Sequence, residues 1–372
     1  MTVRITWRRI ITAIAALVVA AFLVAWSGVI HVGASTGHAA ITDWFLHWAM
    51  RNTVRTYAAL TVDTPAADPE GLVSAAGHFA GHCAVCHGAP GERPSPQMQA
   101  ATPHAPDLAI TAPSYSDAEL FWIVKHGVKF TGMPAWPSLE RDDEVRRMAA
   151  FVRRLPDMTA PEYHALAYGP GSIVGTLAGA RPTTLEHALA ECERCHAEDG
   201  RGQPDIPLVA GQKRAYLRDA LEDFASGRRD SGVMQSAAAR IDETLRDALA
   251  EHYARQPGLV ERPIVEPAER QADAPSAADA TAAAVVAHGI PELDVPACAN
   301  CHAPGKREDY PILAAQKAAY LAARLRHFRQ DDAGEVEARR PDAPMPMIAR
   351  RLPERLIEPL ARYFAELQGT EP

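Results

Sequence analysis

All six cysteines of the 372-residue chain stand in one pattern. Cys83-Ala84-Val85-Cys86-His87, Cys192-Glu193-Arg194-Cys195-His196 and Cys298-Ala299-Asn300-Cys301-His302 each read Cys-x-x-Cys-His. Two thiols three positions apart on one turn can each form a thioether to a haem vinyl group. The histidine that follows is then held beneath the iron as proximal ligand. A thioredoxin-like redox pair would need a βαβ context, which is absent here. A four-cysteine zinc site would consume two pairs and leave the third over. Neither explains a histidine after every pair. The motifs therefore predict three covalently bound haem c groups, attached at Cys83, Cys86, Cys192, Cys195, Cys298 and Cys301, with His87, His196 and His302 on the irons.

The elements that position these residues follow from composition. Aromatics are only 6% of the chain and alanine is abundant, which suits short helices packed around a flat cofactor. A covalent haem adds apolar surface to bury, so a small helical shell around each can be stable. The expected fold class is all-α, an N-terminal transmembrane helix followed by three haem domains. The net charge of −8 favours partners with basic docking patches and argues against nucleic acid.

Arg4, Arg8 and Arg9 precede an apolar run from Ile10 to Val32. A secretory h-region has about 7–15 residues, whereas a spanning helix needs about 20. This run is on the spanning side, and the arginines before it keep the N-terminus in the cytoplasm. The expectation is a single-pass protein of the bacterial inner membrane with its haem domains in the periplasm. The alternative is a long cleaved signal peptide, with Ala34, Ala39 or Ala40 near the cut. Ile41, Trp44, Phe45 and Trp48 then mark one helix face. That face suits either the membrane surface or packing on the first haem domain.

In chain order the expected parts are a cytoplasmic tip and anchor (1–35), a juxtamembrane helix (36–66), a first haem domain (67–158), a connector (159–182), a second domain (183–255), a linker (256–282) and a third domain (283–372). In the first domain Asp68 can cap a helix leading through Leu72 and Phe79 into Cys83. Gly88 to Pro113 reads as a loop around the haem edge. A second helix begins at Ser116 or Asp117 and closes at His126-Gly127, with His126 as a buried polar residue. Thr131-Gly132-Met133-Pro134-Ala135-Trp136-Pro137 sets a methionine in a proline-braced loop. Its soft thioether suits haem iron as distal ligand. Met148, on the apolar face of the final helix Asp142 to Leu155, is core.

Leu72 to Leu155 resembles a class I cytochrome c, in its first helix, haem motif, Gly132-Met133-Pro134 and crossing C-terminal helix. The resemblance implies that Met133 is the sixth iron ligand.

The rest of the chain repeats itself. Pro207-Leu208-Val209-Ala210-Gly211-Gln212-Lys213-Arg214-Ala215-Tyr216-Leu217 returns as Pro311-Ile312-Leu313-Ala314-Ala315-Gln316-Lys317-Ala318-Ala319-Tyr320-Leu321, and Leu221 and Phe224 return as Leu325 and Phe328. Two copies read as tandem domains. Aligning Ile241–Leu245 with Leu352–Leu356 sets Met234 opposite Met345, so these two are the expected distal ligands. Met347 is the rival for the third haem, but it falls opposite Ser236. It heads towards a helix, where a methionine packs in the core. His252 and His327 are expected at the surface. Residues 185–367 resemble the dihaem periplasmic cytochromes of the c-four type, with the Pro-x-x-Ala-Gly-Gln-x-x-x-Tyr-Leu stretch as marker. His288-Gly289 and Pro296-Ala297-Cys298 look like that family's second domain.

No catalytic constellation stands out, and a haem with both axial positions filled carries electrons. The reading is an electron carrier, not an enzyme: a membrane-anchored, periplasmic trihaem cytochrome c. It would take electrons from a quinol-oxidising complex or a dehydrogenase and pass them to a terminal oxidase or another cytochrome. One alternative is the cytochrome subunit of a membrane alcohol or sugar dehydrogenase. The other is a haem sensor or peroxidase. With all six thiols in thioethers, mass spectrometry after acid–acetone extraction should find three haems retained on the polypeptide; release of even one overturns the count.

Overall fold

The apolar N-terminal run forms the helix Trp7–Trp26, with no buried residue. It is long and apolar enough to cross a membrane, a test that a signal sequence also passes. The structure is a computed structural model that describes residues 6–62, 71–169, 181–203, 206–264, 281–330 and 343–367. Asp68 and much of both linking segments lie outside these residues. Among the described residues the fold is helical, with two isolated β-bridges and no strand.

The next helix, Ala40–Thr61, joins both expectations for its region. Its C-terminal half packs on the first domain: Val54 and Ala58 are buried, Tyr57 stacks on Trp122 at 5.9 Å, and Arg51 donates to the Ser114 carbonyl at 3.0 Å. Its N-terminal half leaves Ile41, Trp44, Phe45 and Trp48 exposed.

In the first domain Leu72–His78 runs through a π turn, Phe79–Cys83, into Ala84–His87. Asp142–Arg154 packs against it, with Val145, Met148, Phe151 and Val152 buried; Phe79 and Phe151 are 5.3 Å apart. Ser116 and Glu119 form a capping box that starts Asp117–His126, closing two orphan donors reciprocally. The connector is shorter than its composition suggested. Its first part folds as Ala160–Tyr168, behind a second capping box from Thr159 and Glu162. That helix buries Tyr163, Ala167 and Tyr168 in the first core. Thr-x-x-Glu ahead of apolar residues was the overlooked signal.

The two repeats fold alike. Leu185–His196, Arg214–Ala225, Gly232–Ala238 and Glu243–Arg255 build one. Ala318–Gln330, Pro344–Arg351 and Ile357–Glu366 build the other. The helix entering the haem motif is continuous in the first but broken in the second. There Ala282–His288 ends at Gly289, and a short bridge between Ile290 and Val295 precedes Ala299–His302. Gly289 has φ +74°, and a Cβ there would lie 2.2 Å from the Val295 carbonyl, so this break requires glycine. The linker is also shorter than expected, because Leu259 and Ile264 are buried in the third core and the Leu259 N–H donates to Ala210 at 2.8 Å.

His327 corrects the surface assignment: it is 6% exposed. Arg324, Arg141 and Arg229 are the cations facing it, Asp143 the nearby anion, and Asp230 lies 3.9 Å from its Nε2. Helix periodicity set it outside one domain, but that surface is covered by the others. Burial first, then Arg324 and Arg141, lower its pKa to about 2, so it folds neutral. The unfolded chain therefore binds the extra proton below pH 6.5, and this stability is present above that pH and lost as pH falls. From pH 7 to pH 5 the loss should be about 2 kcal/mol. Thermal melts of wild type and His327→Gln at both pH values check this: the variant should show a smaller acid destabilisation, and an equal one refutes the assignment.

Candidate functional site

The three motif histidines share one geometry. His87 Nδ1 lies 2.7 Å from the Pro106 carbonyl, His196 Nδ1 3.3 Å from that of Pro207, and His302 Nδ1 3.1 Å from that of Pro311. A carbonyl takes only a donated proton, so each bond assigns the hydrogen to Nδ1 and leaves the Nε2 lone pair available to a metal. Burial lowers all three pKa values, that of His196 to about 4, which keeps the rings in the neutral form that binds iron.

The thiols are unlike those of a redox enzyme. All six are free of disulfides. Burial pushes Cys83, Cys192 and Cys298 up to about 12, whereas a reactive thiol is held low. Such thiols are ill suited to disulfide exchange.

In the tandem pair the predicted ligands converge. One cavity of about 1140 Å³ is lined by Cys192, Cys195, His196 and Met234 from one repeat and by Cys298, Cys301, His302 and Met345 from the other. Met234 lies on Gly232–Ala238 and Met345 in the first turn of Pro344–Arg351, not in a loop. Met347 is not part of that lining; it is 49% exposed instead of packed in the core, because it projects from the opposite side of its short helix. Met133 belongs to the first domain and is half-buried; its N–H donates to Thr131 Oγ1 at 3.1 Å, and its carbonyl accepts from Val128. His126 is exposed rather than buried, resting on Trp122 at 4.9 Å. His252 lies 3.0 Å from Gln256 Nε2.

The cavity wall also fits a haem, a flat apolar ring with two carboxylates at its edge. Arg229 donates to Tyr216 and Tyr320, one in each repeat, at 3.1 and 3.2 Å, and its buried Nε has no partner. Arg324, also in the wall, has no carboxylate within ion-pairing distance among the described residues. Burial, then the nearby Arg229 and Arg141, lower its pKa to about 10. A guanidinium with an unpartnered N–H, and a second with no carboxylate beside it, can receive acidic groups. Nothing in periodicity marked these arginines, because only the meeting of two repeats assembles them.

Two glutamines close the site by exchange. Gln212 accepts from the Ile312 N–H at 2.9 Å and donates to the Ile312 carbonyl at 3.1 Å. Gln316 does the same with Leu208, at 2.9 Å both ways. Each thus holds the residue next to the proline that fixes the other repeat's histidine. The repeated Gln-Lys pair was visible in the sequence, but not that it reaches across.

Residues 72–152 match the family model described as cytochrome c oxidase, cbb3-type, subunit III. The thiosulfate dehydrogenase electron acceptor of Stutzerimonas stutzeri is 30% identical, over 54% of this chain and 88% of that protein. Cytochrome c4 of Thiocapsa roseopersicina is 32% identical over 48% and 86%. The chain belongs to the cytochrome c family. It is a multihaem member similar to the c4 type, and so an electron-transfer protein with covalently attached haem c. The crystal structure of cytochrome c4 from Pseudomonas stutzeri aligns with 50% of this cytochrome and all of that chain, at 24% identity and a TM-score of 0.38.

The lining separates the two candidate methionines of the third domain. Met345→Leu should make one ferrous haem reactive to carbon monoxide and lower its potential. Met347→Leu should leave all haems closed and cost under about 1.5 kcal/mol as a volume-conserving exchange. Carbon monoxide titration of the reduced protein checks both, and the reverse pattern would assign Met347.

Proposed function

We propose that this cytochrome is a membrane-anchored, periplasmic trihaem carrier that accepts electrons from a dehydrogenase and delivers them to a terminal oxidase. Cys83, Cys86, His87 and Met133 would hold the first haem, Cys192, Cys195, His196 and Met234 the second, and Cys298, Cys301, His302 and Met345 the third. The haem supplies one-electron chemistry when bound. The polypeptide fixes each histidine through a proline carbonyl; a methionine thioether would complete each set, and Arg229 and Arg324 would meet acidic groups. The observation that carries this reading is the single cavity in which both complete Cys-Cys-His-Met sets of the tandem pair face one another.

The direction of flow rests on the relatives. The dehydrogenase acceptor supports a donor that oxidises a small sulfur oxyanion. The oxidase-subunit match of the first domain supports delivery from that end. Arg4, Arg8 and Arg9 at the N-terminal end of the apolar stretch support a spanning anchor, and the exposed aromatic face after it supports a helix lying against the outer leaflet.

Stopped-flow absorbance gives the test. The oxidised protein should be reduced by thiosulfate in the presence of catalytic thiosulfate dehydrogenase, and not by thiosulfate alone. Failure there, with rapid reduction by a quinol-oxidising complex, would overturn the dehydrogenase assignment.

A further inference from the structure

One carboxylate of the first domain reaches into the tandem pair, beside Arg141, which donates to the Asp230 carbonyl at 3.0 Å, and Ser138, whose Oγ donates to Asp230 Oδ1 at 3.4 Å. Glu144 lies on Asp142–Arg154, is buried, and accepts hydrogen bonds from both sides of the domain boundary. From its own domain, Trp136 Nε1 donates to Oε2 at 3.2 Å, and Arg141 pairs with Oε1 at 3.0 Å. From the second domain, Ser231 Oγ donates to Oε1 at 2.6 Å. The Gly232 and Val233 N–H groups donate to Oε2 at 2.7 and 3.4 Å. Ser231 Oγ in turn accepts from the N–H of Met234 at 3.1 Å.

Two bonds therefore separate a first-domain carboxylate from the backbone of the second domain's candidate iron ligand. The same carboxylate holds Trp136, three residues beyond Met133 in the loop that carries the first domain's candidate ligand. The fit is close: a Cβ on Gly232 would lie 2.2 Å from Trp136 Nε1. The ionised acceptor makes these bonds stronger than neutral ones, and Arg141 compensates its charge. A seven-residue helix is marginal without tertiary support; Glu144 supplies that support at its first turn, and Gln235 adds a bond to the Arg229 carbonyl at 3.3 Å.

We propose that Glu144 is a positioning residue that holds Met234 in place for the second haem, so that closure of that iron site depends on the first domain being docked. This rests on the reading of Met234 as the distal ligand. A helix released from Glu144 loses its anchor at Ser231 and Gly232, and the thioether sulfur loses its defined approach.

The test uses the full-length holoprotein reduced with dithionite and titrated with carbon monoxide, followed by absorbance. The methionine-to-iron band of the oxidised protein is recorded alongside. Met234→Leu calibrates the signal of an opened second site. Glu144→Ala should open the same haem fraction as Met234→Leu and lose the same share of the methionine band, with haem content unchanged. Glu144→Gln, which keeps a carbonyl acceptor for Gly232, should remain closed as in wild type. Ser231→Ala, the milder cut in the same chain, should open the site if Glu144→Ala fails to assemble. If Met234→Leu opens a haem while Glu144→Ala and Ser231→Ala stay closed, the positioning role is overturned. If Met234→Leu itself stays closed, it is the assignment of Met234 that falls.

Discussion

The tandem half of the cytochrome depends on an exchange of two amide side chains. Gln212 and Gln316 each satisfy both backbone groups of one residue in the opposite repeat. Amide-to-backbone pairs of this kind are directional, and a buried backbone group left unpaired would cost about 1–3 kcal/mol. The exchange therefore sets how the repeats face each other. Lys213 and Lys317 follow the same rule, reaching loop carbonyls across the boundary at Arg307 and Ile206. Arg229 stands between the two equivalent tyrosines. The cavity, the proline carbonyls behind the histidines and the cations in its wall all follow from that facing.

Chemistry was more legible in the sequence than arrangement. Cys-x-x-Cys-His is a local signature, so its six thiols and three histidines needed no tertiary information. The duplication was legible because identical residues return at constant spacing, and it led to Met234 and Met345. Residues whose role depends on another domain were not legible. His327 lies on a helix face that one domain alone would expose, and Glu144 looks like any first-turn acid, favourable at a helix start. Met347 was misplaced because which side of its helix faces inward is set by the packing of Met345, Pro346 and Ala349, not by the helix itself. The two linkers were overextended because Pro, Ala and acidic residues resemble a tether even where Tyr163, Leu259 or Ile264 anchors them. Ala315 was seen to replace the glycine of the first repeat. It keeps the left-handed backbone, at φ 63° against 72° for Gly211, so the packing dictated by the exchange outweighs the local cost of about 1–2 kcal/mol.

Where the three domains meet, the interior is charged. Arg141, Asp143, Glu144, Asp230, Arg229 and Arg324 come together, with His327 held neutral among them. Burying so many ions is a poor route to stability. Its effect is specificity, since a slipped arrangement would leave uncompensated charge in a low-dielectric interior. Asp143, half-buried and bound through both carboxylate oxygens by Arg141, is held well below the ordinary carboxylate range and so stays ionised.

That junction would also set the molecularity of exchange between haems held by the two domains. Separate carriers must find one another, and their exchange slows in proportion as they are diluted. Here Gly77 of the first domain lies so close to the second that a Cβ on it would be 3.3 Å from Cys195 Sγ. Domains held at contact distance exchange by a first-order process, with an effective concentration set by geometry rather than by expression level. A cell could make few copies of such a chain and lose no speed in an internal step; only encounters with redox partners would still depend on abundance.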